Sequence, residues 1–429
     1  MNRRRAALPL LAFLWLALGA AAPGLAQDEN PESVGLSSQR LERVAELMQR
    51  HIDQRTFSGA VTLIARDDRT AYFRAQGLMD LDAERPMRKD AVFRIMSMTK
   101  PVVALSILIM VEEGKVRLTD PASRFIPELE GLAVAAPAAT GAETPAPSGP
   151  RSASAAARAG TVPAQREITI RDLLTHTSGL MSGGASSEHD VSIGAGESLA
   201  DVLPRLASVP LDFQPGTRWA YSGQFGFDVL VRVVEVASGM PFDAFAKERI
   251  FEPLGMIDTF FHPGDAHGGR IATLYRSEEG GLVETPDLPF VNGVYFSGGG
   301  GLFSTAEDYL KFALMLLNGG RLDDVRLVSR KTVDLMTSVF VPDTLPGRTP
   351  GEGYGLGVRV VTDPAARNTL LSEGSFGWSG AFNTHFFIDP EERLVGIFMT
   401  QNAFLETRQQ LREDFETAVM QALIDDGAD

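Results

Sequence analysis

Strand-like segments stand at both ends of this chain, and helical sequence fills the middle. Residues 60–65 and 71–75 are short apolar runs flanking Asp67-Asp68, a pair suited to a tight hairpin turn. Residues 381–388 and 394–400 flank Asp389-Pro390-Glu391-Glu392 and read as a second antiparallel hairpin. An isolated hairpin is marginal in water, because its edges and its apolar face lack partners. The pattern therefore predicts one sheet built from both termini, with the intervening helices packed on it. No internal repeat is present.

The helical segments have recognisable starts and faces. Ser37 or Ser38 is placed to cap a helix whose apolar face is Leu41, Val44, Ala45, Met48 and Ile52. Residues 101–113 are apolar throughout and end at Gly114, as a buried helix does. Helices are also expected over 225–237, over 304–318 after the glycines 298–301, and over 403–424, with Leu411, Phe415, Val419 and Leu423 on one face of the last. Residues 131–166 are rich in Ala, Pro, Ser, Gly and Thr and poor in large apolar side chains. Such a stretch cannot offset its ordering entropy by burial, so it is expected to be a flexible surface insertion.

Composition narrows the function classes. With 429 residues, 44% hydrophobic and 22% charged, the chain is long enough and apolar enough for a large core. A net charge of −15 and the lack of a basic stripe argue against nucleic-acid binding. The absence of cysteine removes disulfides and thiolate metal sites, and the six histidines show no His-Glu-x-x-His spacing. No metal and no cofactor is expected. Arg3, Arg4 and Arg5, the apolar run 6–22 and Gly24-Leu25-Ala26 have the layout of a cleaved export signal over 1–26. The mature chain 27–429 is then periplasmic or secreted, without a stable membrane span.

The chemistry starts at Ser97 and Lys100. A hydroxyl and an amine three residues apart at a helix start lie on one face, about a turn apart. A neutral lysine there can take the serine proton, and the helix N-terminus favours nearby negative charge. Only Lys100 of the six lysines has a serine three positions before it. The pair alone also fits a capping serine beside a solvated lysine.

Longer blocks decide between these. Phe93-Arg94-Ile95-Met96-Ser97-Met98-Thr99-Lys100-Pro101 resembles the nucleophile segment of the penicillin-recognising serine hydrolases. These are the class C β-lactamases, the D-Ala-D-Ala peptidases and the β-lactamase-like carboxylesterases. Leu173-Leu174-Thr175-His176-Thr177-Ser178-Gly179-Leu180, Pro215-Gly216-Thr217-Arg218-Trp219-Ala220-Tyr221-Ser222 and Gly298-Gly299-Gly300-Gly301-Leu302-Phe303-Ser304-Thr305 resemble further landmarks, in the family's order. The resemblance covers about 33–425. It implies an α/β (α+β) fold of the β-lactamase/transpeptidase type: an antiparallel sheet flanked by helices (about 33–95 and 285–429) plus a mostly helical lobe (about 96–284).

The resemblance also implies roles. Ser97 is the nucleophile, Lys100 and Tyr221 share its proton, and the backbone N–H groups of Ser97 and Ala381 form the oxyanion hole. Substrate is expected to lie along Trp378, Ser379, Gly380 and Gly223. Two positions depart from the lactam-handling pattern. Gly223 stands where those relatives carry an asparagine that contacts the amide, and Trp378 stands where they carry a lysine or histidine. An indole offers no cation for a substrate carboxylate, and the carboxylesterase branch carries Trp-x-Gly here. A small-molecule carboxylic ester is therefore the expected substrate, with the oligomeric state left open. The rivals are a β-lactamase or D-Ala-D-Ala carboxypeptidase/D-aminopeptidase, an acyltransferase, and a catalytically silent protein binding cell-wall fragments or acyl ligands. His176 is read as a local backbone partner and not a triad histidine, and Glu373 as a solvated loop charge.

Overall fold

The computed structural model describes residues 30–136, 160–286, 293–403 and 405–424. The expected export signal over 1–26 lies outside the described residues, as does 137–159 of the expected insertion. The two ends of that insertion are ordered: Ala133–Ala135 and Thr161–Pro163 pair as antiparallel strands.

Eight strands form the main sheet: β1 (Gly59–Arg66), β2 (Arg69–Asp80), β3 (Arg85–Pro86), β4 (Glu352–Tyr354), β5 (Arg359–Val361), β6 (Phe376–Gly380), β7 (Thr384–Asp389) and β8 (Leu394–Met399). Their order is β4-β5-β6-β7-β8-β1-β2-β3, and every neighbouring pair is antiparallel. The chain's two ends join at β8–β1, in a register from Val61↔Met399 to Arg66↔Leu394. The two hairpin turns lie side by side there. Asp67 and Asp68 both hold positive φ, +51° and +63°, as a two-residue turn demands, and Arg393 of the other turn pairs with both at 2.8 and 3.2 Å.

Both faces of this sheet are covered, which explains strands without polar alternation. Val61, Leu63, Ala65, Phe386, Ile388, Val395, Ile397 and Met399 face the larger core. Ala60, Ile64, Phe387, Leu394 and Phe398 face the smaller one. Five helices cover these cores and carry the site: α1 (Ser38–Asp53), α2 (Thr99–Glu112), α3 (Phe225–Ser238), α4 (Ala306–Leu317) and α5 (Arg408–Met420). The Ser37 hydroxyl caps α1 by accepting from Arg40 N–H. Helices α1 and α5 cover the smaller core, while α2, α3 and α4 fill the larger.

Two expected helices are shorter at their starts. Ser304 sits in a two-residue strand paired with Phe93, and the Thr305 hydroxyl caps α4. Ala403 belongs to another short strand, paired in parallel with Tyr275–Glu278, so the last helix begins at Arg408. In both places a tertiary strand partner outcompetes helix propensity.

Candidate active site

The segment that carries Ser97 is fixed from three sides. Phe93–Arg94 pairs with Phe303–Ser304, Ile95 N–H donates to Leu302 O at 3.0 Å, and the Thr384 hydroxyl donates to Ile95 O at 3.0 Å. Met96 then adopts φ +48°, an unusual value for a side chain of its size. One 3-10 turn, Met96–Met98, leads into α2 and leaves Ser97 at its mouth. Gly380 lets β6 press against this turn. A Cβ there would lie 2.2 Å from Thr384 Oγ1 and 2.3 Å from Ile95 O.

Lys100 is fully buried. Its Nζ lies 2.6 Å from Gly223 O, 2.7 Å from Gly299 O and 3.2 Å from Ser97 Oγ. The Tyr221 hydroxyl lies 2.7 Å from Ser97 Oγ on the other side, and Nζ is 5.0 Å from the Tyr221 ring centroid. The expected trio thus meets at one oxygen. A neutral amine can donate to both carbonyls and accept from Ser97. An ammonium can donate to all three, with the serine proton passing toward Tyr221. Both arrangements satisfy every buried donor, so the proton belongs to the pair.

The carbonyl of Gly299 is aimed by a residue that sequence reading passed over. Asp228, fully buried on α3, accepts from Gly299 N–H at 3.1 Å, from the Ser297 hydroxyl at 3.0 Å and from the Tyr295 hydroxyl at 2.7 Å. Burial pushes its carboxyl above the usual range, while those donors and the nearby Lys100 oppose the shift. The glycines at 298 and 299 are needed for this approach. A Cβ at 298 would meet Phe227 O at 2.4 Å, and one at 299 would meet the Gln224 Cα at 2.6 Å. An aspartate three residues into a helix resembles an ordinary first-turn acid, so only the fold exposes its role.

His176 stands behind Tyr221, its ring 4.7 Å away, and makes no hydrogen bond to Ser97. Its Nδ1 accepts from Ser222 N–H at 3.3 Å, which puts the proton on Nε2. Burial, with Lys100 and Arg348 nearby, holds its pKa well below the usual histidine range. Trp219, Tyr354 and Trp378 complete an aromatic wall around Tyr221. Glu373 is exposed and does not line the cavity.

A cavity of about 220 Å³ opens in front of Ser97. Tyr221, Trp378, Ser379, Gly380 and Ala381 line it, together with Asn383, Thr384, Phe398, Arg408 and Arg412. The Ala381 N–H has no hydrogen-bond partner among the described residues. Gly223 contributes its carbonyl to Lys100 and is not a lining residue. The two arginines come from α5, and a helical i,i+4 pair of cations carries no sequence signal of facing a cleft. A serine oxygen met by an amine and a phenol, with an unpaired amide lining the same cavity, has the layout of a serine acyl-transfer site.

Comparison with known proteins agrees with that class. The family model described as Beta-lactamase matches residues 44–419, and the chain belongs to that family. Protein Rv1367c of Mycobacterium tuberculosis is 37% identical over 367 residues, covering 82% of this chain and 87% of that protein. Esterase EstB of Burkholderia gladioli is 33% identical over 390 residues, covering 82% and 88%. Among solved structures, EstCE1, described as a hydrolase with promiscuous acyltransferase activity, superposes with TM-score 0.74 at 27% identity, covering 89% of this chain and 99% of that one.

Proposed function

We propose that this protein hydrolyses small carboxylic esters through an acyl-enzyme on Ser97. The carrying observation is the convergence of the Lys100 amine (3.2 Å) and the Tyr221 hydroxyl (2.7 Å) on one serine oxygen at the mouth of a cavity. Ser97 Oγ attacks the ester carbonyl, and its proton passes to the Lys100–Tyr221 pair. The Ser97 and Ala381 N–H groups hold the developing oxyanion, a contribution of about 3 kcal/mol per donor. The tetrahedral intermediate expels the alcohol, which leaves with a proton from the pair. Water then repeats the sequence on the acyl-enzyme and returns the carboxylic acid.

EstB, named an esterase, supports the ester class, and EstCE1, described as a hydrolase, supports hydrolysis. The same acyl-enzyme can pass its acyl group to an alcohol, and the description of EstCE1 makes acyl transfer the second reading. Amide and lactam recognition has less support, because no side-chain amide projects from position 223. Turnover of p-nitrophenyl butyrate with an initial burst of p-nitrophenol, abolished in Ser97→Ala, is the expected result. Wild-type rates in that variant would end the proposal. Added short alcohols would divert product to new esters if transfer competes with hydrolysis.

Export through residues 1–26 is part of the proposal. Expressed in a Gram-negative host, the protein is expected in the periplasm with Gln27 as its first residue, read by N-terminal sequencing.

A further inference from the structure

The buried charges beside the cavity do not balance. Arg359 pairs with Glu416 at 2.7 Å and with Glu352 at 3.6 Å. Arg367 reaches the same two carboxylates at 3.2 and 3.6 Å, and Arg348 reaches Glu352 at 3.0 Å. Arg412 is the fourth arginine of this cluster and has no carboxylate within ion-pair distance among the described residues. Its one hydrogen bond runs from Nη1 to Ser379 Oγ at 3.1 Å, and its buried Nε has no partner. Glu413, the other acid that bears on Arg359, is exposed. His385 adds no negative charge. Four largely buried arginines thus share two glutamates, and the unbalanced one faces the cavity that holds Ser97.

Three further observations point the same way. Arg408, one turn before Arg412, also lines the cavity and has no side-chain partner among the described residues. Its position is electrostatically costly, because a cation at a helix start meets the positive end of the helix dipole. The first turn of α5 holds no acidic residue, and Thr407 makes no side-chain cap. Among the described residues no acidic side chain lines the cavity. Ser379 is set to hold the cation in place. His385 Nε2 faces Glu416 Oε1 at 3.2 Å, and His385 Nδ1 lies 2.9 Å from the Ser379 hydroxyl, which it fixes in place. The Ser379 oxygen then accepts from Arg412 and orients that guanidinium.

We propose that Arg408 and Arg412 form a seat for a free carboxylate, and that the preferred substrate is a short ester bearing one. This rests on the ester-hydrolase reading and gives it a substrate class. The positive charge that Trp378 removes from strand β6 is supplied instead from helix α5. A carboxylate held by a guanidinium inside a partly dry cavity forms a charge-assisted pair, which a neutral ester of the same shape cannot replace. The carboxylate belongs either to the acyl part or to the alcohol part, and the two sources are separable.

The test compares kcat/KM within two matched pairs. For the acyl side, p-nitrophenyl hydrogen adipate is set against p-nitrophenyl adipamate. For the alcohol side, 4-carboxyphenyl butyrate is set against its methyl ester. A preference of about tenfold or more for the charged member of at least one pair is expected. That ratio should fall toward one in Arg412→Gln and partway in Arg408→Gln, the second being at the helix surface and so safe for folding. Turnover of both neutral esters with no charged preference in either pair would overturn the seat and leave the hydrolase reading standing. If no ester is turned over at all, the hydrolase reading fails first. The seat is then read by calorimetric titration of wild type with adipate against adipamide, where equal binding rejects it and adipate binding weakened by Arg408→Gln sustains it.

Discussion

Lys100 Nζ lies 2.6 Å from the carbonyl oxygen of Gly223, the residue that stands where lactam-handling relatives carry asparagine. The backbone at this position therefore still serves the lysine, and only the side chain that would face an amide is gone. A Cβ on Gly223 would meet nothing within 4 Å.

Gly223→Asn should therefore fold normally and add an amide to the site without disturbing Lys100. One added hydrogen bond to a lactam or peptide carbonyl is worth about 1 kcal/mol, so nitrocefin or anilide turnover should rise about fivefold. Ester turnover should change much less. Assays of both substrate types on the pure variant check this. Unchanged amide turnover with intact ester turnover would show that something other than the missing amide restricts the site.

Asp228→Asn keeps the size of the side chain and removes the charge that gathers Gly299 N–H and two hydroxyls. One of the three donors then faces an NH2 group. Hydrogen bonds to a charged acceptor are worth about 1.5–3 kcal/mol, so the Gly299 turn should loosen beside Lys100 and kcat/KM should fall about 10- to 100-fold. The fall should sit in kcat, because Asp228 does not line the cavity. A KM effect with unchanged kcat would contradict this account.

The two hairpins and the Ser97–Lys100 pair were legible in the sequence because both are written locally. Apolar runs around Asp67-Asp68 and around 389–392 are turn chemistry within a few residues, and Ser97 and Lys100 share one helical turn. Tyr221 is far away in sequence and became legible only through the resemblance of its flanking block. What stayed hidden depends on which surface a distant element turns inward. Asp228 looks like a first-turn acid until the 298–301 turn folds onto it. Arg408 and Arg412 look like solvated helix charges until α5 lies across the end of β6. Trp378 alone pointed to an uncharged cleft, and the missing information was a partner some thirty residues later in the chain.

Acidification should weaken the fold before it reaches the carboxylate range. Burial pushes His385 down to about 4 from 6.5, and His176 is held well below its usual range for the same reason. Both are neutral when folded. In the unfolded chain each takes up a proton as the pH drops through 6.5, so the unfolded state gains and stability falls with pH. At pH 5.5 each such histidine costs about 1.4 kcal/mol relative to pH 7.5. Glu416, held below its usual range chiefly by Arg359 against the opposing effect of burial, extends the loss below pH 4.5, because it stays ionised when folded while its unfolded counterpart protonates. Asp228 and Asp308, both raised by burial, act in the opposite sense. Urea unfolding at pH 7.5 and 5.5 brackets the usual histidine pKa. Stability should drop by about 2–3 kcal/mol, and His385→Gln should remove about half of that drop while lowering stability at both pH values. Equal stability at the two pH values would mean that these imidazoles are protonated as readily inside the fold as in the unfolded chain, against the burial argued for them.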